Sequence, residues 1–378
     1  MSKYLKAEWL FPIYFWGFIF LKIFYSLIDS TVLLISFVCV SLFLFISKYN
    51  FKIININSFF ILIIALLLFF DTFLRIENTI SINYFKEFLY FGFIPFLLFS
   101  KICDYNFFLY NFSKLSLLNL LIFGFDGIMG YPVFGDYMSF GFNLILPCLF
   151  SCLYLLLYSD KFKFIYVFFL IFSLYNALIY SNRGVLLSFF CFIIFILYHN
   201  KKSKTIYFFV LPFFSVIAFF LKDILLYIFE FADKNQINSY SLNQYREVLL
   251  GQSNQQDFFS GRFDIWNLAV NMLNERIFFG NGIGSFENLY GVYTHNFILD
   301  ILIFHGVILS IILMFFLFKS SINLYKTNKF LFGFVFFLVF PKIFLSTYYL
   351  KEVFFWVLIS FVYVNKNFKS RYFKIKNS

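Results

Sequence analysis

From residue 10 to residue 222 the chain is almost unbroken apolar sequence, cut only by brief polar interruptions, and three further apolar runs follow residue 296. Each run approaches the roughly twenty residues that a bilayer core demands of a helix. We place about twelve spans on this pattern. They cover residues 10–28, 31–47, 58–74, 88–100, 107–125, 138–158, 162–180, 184–199, 205–222, 296–318, 328–343 and 349–364, and the fourth, eighth and eleventh are short. Composition closes off a soluble alternative: 62% of residues are hydrophobic and 13% charged, against about 25% charged in soluble domains. The expected fold is an all-α polytopic membrane protein with one large, partly helical outer loop. It divides into N-terminal transmembrane helices over residues 1–222, an outer loop over 223–295, and C-terminal transmembrane helices with a basic tail over 296–378.

Orientation follows from lysine and arginine, which stay preferentially on the inner side. With the N-terminus inside, the inner segments hold Lys3, Lys6, Lys48, Lys52, Lys101, Lys161, Lys163, Lys201, Lys202, Lys204, Lys319, Lys326, Lys329 and the tail from Lys366 to Lys376. The short outer loops, around Asp29, from Asp126 to Tyr137 and from Ser181 to Gly184, hold only Arg183, and Arg75 to Lys86 is the one mixed outer segment. Both termini are therefore expected inside and residues 223–295 outside. The net charge of +11 is mostly this inner excess, so it signals no nucleic-acid partner. The first apolar run is long and lacks a small-residue cleavage site, so it is expected to remain as an anchor. Cys39, Cys103, Cys148, Cys152 and Cys191 all fall in spans or on the inner side. None can staple the outer loop, and Cys148 and Cys152, on one helix face, suit packing better than metal ligation.

Polar chemistry collects between Gly261 and Gly306. Ser260 and Gly261 suit a helix N-cap, and Trp266, Val270 and Leu273 recur at helical spacing, which predicts an amphipathic helix over residues 262–275. Arg262 then stands in its first turn, where unpaired N–H groups and partial positive charge favour an anion such as phosphate. Gly280, Gly282 and Gly284 make a turn; no strand precedes them, so they are not a dinucleotide fingerprint. His295 follows in Tyr293-Thr294-His295-Asn296, at the start of an apolar run, where an imidazole can accept a proton from a hydroxyl. Arg183 lies in Ser181-Asn182-Arg183-Gly184, forced to the mouth of two apolar runs, where it must snorkel or meet an anion. Lys22 and Asp71 lie near span ends and Asp300 near the outer surface. His305 is roughly 15 Å deeper than His295 at helical rise, too far to share a small site, and is assigned to packing.

Many spans, an SNRG turn, one large outer loop late in the chain, then GRxxxW, a glycine-rich turn and HN entering an apolar helix resemble the O-antigen ligase and polymerase superfamily. Phe278 and Phe279 depart from it, standing where a proline often precedes the glycine turn. The resemblance implies an enzyme acting on an undecaprenyl-diphosphate-linked oligosaccharide at the periplasmic face of the bacterial inner membrane. Its partners would be that lipid, the surrounding membrane lipids and a chain-length regulator. It assigns Arg183 and Arg262, with Arg276 as a weaker candidate, to the diphosphate, and His295 to the acceptor.

That chemistry fits what the sequence lacks. A sugar on a lipid diphosphate already carries a good leaving group, so inverting transfer needs a base for the attacking hydroxyl and cations for the phosphates, not the second carboxyl of glycoside hydrolysis. The chain has no Asp-x-Asp, the metal-binding pair typical of nucleotide-sugar transferases, so no cofactor is expected. Glu247, Asp257, Asp264 and Glu287 are alternative bases in the loop. Polymerase is favoured over ligase because an aromatic-rich, compositionally drifted chain resembles genes carried in O-antigen clusters. A flippase or other transporter would spread its ionisable residues along a central cavity and show related halves; here the distinctive polar residues gather late, at one face.

Overall fold

A computed structural model describes residues 7–22, 35–43, 56–74, 79–199 and 262–362, together with a few isolated residues between 226 and 246. Every element within them is helical. In chain order these are α1 (Ala7–Lys22), α2 (residues 35–43), α3 (Ile56–Leu74), α4 (Thr79–Phe99), α5 (Tyr105–Phe123), α6 (Tyr137–Tyr158), α7 (Lys163–Ile179), α8 (Arg183–His199), α9 (Arg262–Glu275), α10 (Ser285–Tyr290), α11 (Phe297–Thr327), α12 (Lys329–Leu345) and α13 (Val353–Ile359). A single 3-10 turn, Tyr349–Lys351, separates the last two.

The expectation of about twelve spans is met in part. Among the described residues α4, α6 and α11 are long and apolar enough to cross a membrane, while Ala7–Leu21, Ile61–Leu74, Lys163–Ile179 and Arg183–His199 are apolar but shorter. The span expected at 205–222, and the Ser260 and Gly261 caps, lie outside the described residues. Large apolar side chains such as Phe164, Ile171, Phe315 and Phe318 stay exposed on the outer faces of α7 and α11. That surface suits lipid.

Between helices in lipid there is little hydrophobic drive, so contact rests on close van der Waals fit and ring geometry. Phe112 of α5 is the centre of such a cluster: Phe15, Trp16, Phe108, Phe334 and Phe354 pack around it. Around this core α5 packs on α1 and α6, α6 on α7, α12 on α8 and α11, and α13 on α11 and α12.

Departures from regular helix mark three of the described helices, the first being the π-helical segment Leu89–Phe93 in α4. In α6 the segment Gly141–Ile145 is π-helical, a one-turn widening common near functional sites. In α11 the helix breaks at Gly306, whose φ of 67° and ψ of 177° are non-helical. The loop after α9 enters that break. Asn281 N donates to Ile303 O at 2.6 Å, Gly282 N to Phe304 O at 3.2 Å, and Val307 N to Ile277 O at 2.8 Å. A Cβ on Gly280 would strike the Gly306 nitrogen, and one on Gly306 the Phe278 carbonyl. Both positions require glycine, and the backbone groups freed by the break are satisfied by protein.

Candidate active site

The helix predicted over residues 262–275 is present with those limits, but its buried face is corrected. Ala269 and Met272 are buried and Ile265 and Leu273 pack beside them, whereas Val270 is exposed. Trp266 instead turns toward the strap before α11, its Nε1 donating to Thr294 O at 3.0 Å. The glycine turn is as expected a turn, with positive φ at Gly280, Gly282 and Gly284. It is clamped by residues that sequence reading did not assign: Ile283 N donates to Asp71 Oδ2 at 2.9 Å, and Ser81 Oγ donates to Ile283 O at 2.6 Å. Asp71 is therefore engaged with the turn.

The candidate site forms at the C-terminal end of α12, where main-chain carbonyls leave the helix. Arg262 Nη2 donates to Leu345 O at 3.2 Å, and the Tyr293 hydroxyl donates to Ser346 O at 2.6 Å. The Tyr293 ring lies 3.9 Å from the His295 ring, centre to centre, at 41°. A Cβ built on Gly184 would sit 2.8 Å from Leu345 Cδ1, so the turn carrying Arg183 abuts the same residue. Residue 345 thus gathers the starts of α8 and α9 and the strap that enters α11. Asn182 Oδ1 accepts from Val185 N at 3.1 Å, and Asn296 Oδ1 accepts from Ile298 N at 3.0 Å and Leu299 N at 3.4 Å. Helix N-termini at Arg183, Arg262 and Phe297 each bring partial positive charge to this region.

His295 adopts φ of 52°, one of the few non-glycine residues here in the left-handed region. Among the described residues its Nδ1 is buried without a hydrogen-bond partner. Burial first, and the Arg262 guanidinium second, push the imidazole below its ordinary 6.5, while the Leu345 carbonyl pulls the other way. Burial chiefly pushes the Tyr293 phenol up to about 12, so it stays a hydrogen-bond donor.

Of the residues singled out from sequence, the fold brings Arg262 and His295 together and carries the Arg183 turn to them. Arg276 stands at the far end of α9, roughly 20 Å along the helix, and is exposed. Asp264 is exposed; Glu247 and Asp257 lie outside the described residues. Glu287 accepts the Tyr84 hydroxyl. Asp300, placed near the outer surface by sequence, is 1% exposed and accepts from Thr294. His305 bonds the Tyr349 hydroxyl.

Sequence reasoning missed a flanking set. Tyr348 stacks on Tyr84 at 4.0 Å and reaches Tyr293 edge-on at 6.3 Å. Its hydroxyl donates to Glu87, which Lys351 pairs at 3.0 Å. Lys342, one turn before Leu345, pairs with the buried Glu352 and donates to Asn143 Oδ1 at 2.8 Å, inside the π-helical segment of α6. Glu87 and Lys351 each border an apolar run, a signal that marks them singly but does not pair them.

Comparison with known proteins gives one family. Residues 167–314 match the family model described as O-Antigen ligase, an interval containing Arg183, Arg262, Arg276, His295 and the Gly306 break. No curated protein and no solved structure matches the chain. With the motifs in their expected order inside the matched interval, this match over residues 167–314 supports membership of the O-antigen ligase and polymerase superfamily.

Proposed function

We propose that the protein polymerises undecaprenyl-diphosphate-linked O-antigen repeat units at the periplasmic face of the inner membrane, by metal-independent inverting glycosyl transfer. The observation carrying this reading is the meeting of Arg262 and His295 at the Leu345 carbonyl. A cation that grips phosphate beside a neutral imidazole is what displacement from a lipid diphosphate requires. An acceptor hydroxyl attacks the anomeric carbon; its proton passes to His295; the bond to the phosphate oxygen breaks, and the charge left on undecaprenyl diphosphate is held by Arg183 and Arg262 at the helix N-termini. Arg276, roughly 20 Å from Arg262 along α9, stands outside this grip. About twelve spans, with both termini cytoplasmic, carry this site, and a chain-length regulator acts on the product.

The ligase reading, transfer to lipid A core, is supported by the description of the matched family. Against transport, the broken helix α11 has its freed backbone groups satisfied by residues 277–282, whereas transporters leave such groups to coordinate substrate or ions. The lipopolysaccharide of a deletion strain separates the readings. A single retained repeat unit without a ladder supports polymerase. Core without O-antigen, with lipid-linked polymer accumulating, means ligase. An unchanged pattern rejects both.

A further inference from the structure

Thr294, directly before His295, is fully buried, and both of its polar ends are held. Its carbonyl accepts from Trp266 of α9 at 3.0 Å, which registers the helix of Arg262 against residue 294. Its hydroxyl donates to Asp300 Oδ1 at 2.7 Å and accepts from Asn296 N at 3.1 Å. The two residues flanking His295 are therefore tied to each other and to a buried carboxylate. Asp300 Oδ2 meets no hydrogen-bond partner among the described residues. A carboxyl group held away from water by so few bonds is costly, and helix α11 needs none of it for its own backbone, because Asn296 caps its start. What the tie does fix is residue 295, whose left-handed backbone, at φ of 52°, an ordinary residue enters only at a cost.

We propose that Thr294 and Asp300 are positioning residues for His295: the buried Asp300 carboxyl anchors the Thr294 hydroxyl, which holds the 294–296 backbone so that the imidazole faces the acceptor hydroxyl beside Arg262. This rests on His295 acting as the base. Neither residue touches substrate. Misplacing a reacting group by about an ångström costs on the order of a hundredfold in rate.

The test uses purified full-length protein in lipid nanodiscs with an undecaprenyl-diphosphate-linked repeat unit. Thr294→Val keeps the shape and removes the hydroxyl; it lowers kcat about a hundredfold and leaves KM for the lipid nearly unchanged. Thr294→Ser restores the hydroxyl and most of kcat. Asp300→Asn, which still offers an acceptor oxygen, remains close to wild type, whereas Asp300→Leu, which also loses the bond to the Thr294 main chain, is at least as impaired as Thr294→Val. Equal rates for Thr294→Val and wild type, equal losses in the Ser and Val variants, or a loss confined to KM overturn the proposal. If Thr294→Val does not fold, an Asp300→Asn protein as impaired as Asp300→Leu overturns it, and one close to wild type supports it. An active His295→Ala removes the base reading itself, and this proposal with it.

Discussion

At His295 two effects act in the same direction: burial and the nearby Arg262 charge both favour the neutral imidazole. A base must be unprotonated to work, so the acidic limb of the rate profile is expected below pH 6.5, the ordinary value. Replacing Arg262 by Gln removes one of the two depressing causes, and the limb should move to higher pH in the residual activity; a limb that stays in place would separate the two residues. The same depression sets a stability trend. The folded imidazole binds its proton less readily than the unfolded one, so stability is retained above the unfolded value and falls as pH drops through it and on towards the lowered one. At Arg183 and Arg262 the guanidinium offers paired donors that lysine lacks. One charge-assisted hydrogen bond is worth about 1.5–3 kcal/mol, so Arg183→Lys and Arg262→Lys should each lose roughly ten- to a hundredfold in kcat/KM while inserting normally. Wild-type ladders from both would make them ordinary surface charges.

Elements were read from the sequence unevenly, for physical reasons. The limits of α9 were legible because Ser260 and Gly261 suit an N-cap and apolar residues recur at helical spacing up to Leu273; its buried face was not, since Val270 and Ala269 are neighbours of similar apolarity and tertiary contact alone decided between them. The glycine turn was visible as a turn, but its insertion into α11 at Gly306 was invisible, because the partners are main-chain groups with no residue signature. For the same reason nothing in the sequence marked Leu345 and Ser346, whose carbonyls organise the candidate site. The glycines nevertheless separate by context. Gly306 has a φ/ψ pair essentially reserved for glycine and no room for a Cβ, while Gly291, at φ of 73°, has open space around it. Gly306→Ala should therefore lower the thermal midpoint in detergent sharply and abolish activity, and Gly291→Ala should cost about 1–2 kcal/mol with activity kept. Equal midpoints for the two variants would show that the break in α11 tolerates rearrangement.

For the whole molecule, apolar runs identified an all-helical membrane protein. They did not pair Glu87 with Lys351 or Lys342 with Glu352, because such pairs depend on how helices far apart in sequence assemble. Sidedness is directly testable. Residue 274 is an exposed position on α9, and Cys103 is an exposed native thiol between α4 and α5. In intact spheroplasts an impermeant thiol reagent should label a cysteine introduced by Asn274→Cys, and should label Cys103 only after the membrane is opened. The reverse order would invert the topology and put the candidate site in the cytoplasm.

The most direct measurement is made with purified wild-type protein and His295→Ala, each given undecaprenyl-diphosphate-linked repeat units without any lipid A core, with glycan length and lipid binding followed together. A general base contributes about a hundred- to ten-thousandfold in rate. The account predicts a ladder from the wild type, no detectable extension from His295→Ala, and nearly equal binding of undecaprenyl diphosphate by both. Extension by His295→Ala at close to the wild-type rate, or a defect in that variant confined to lipid-diphosphate binding, would contradict it.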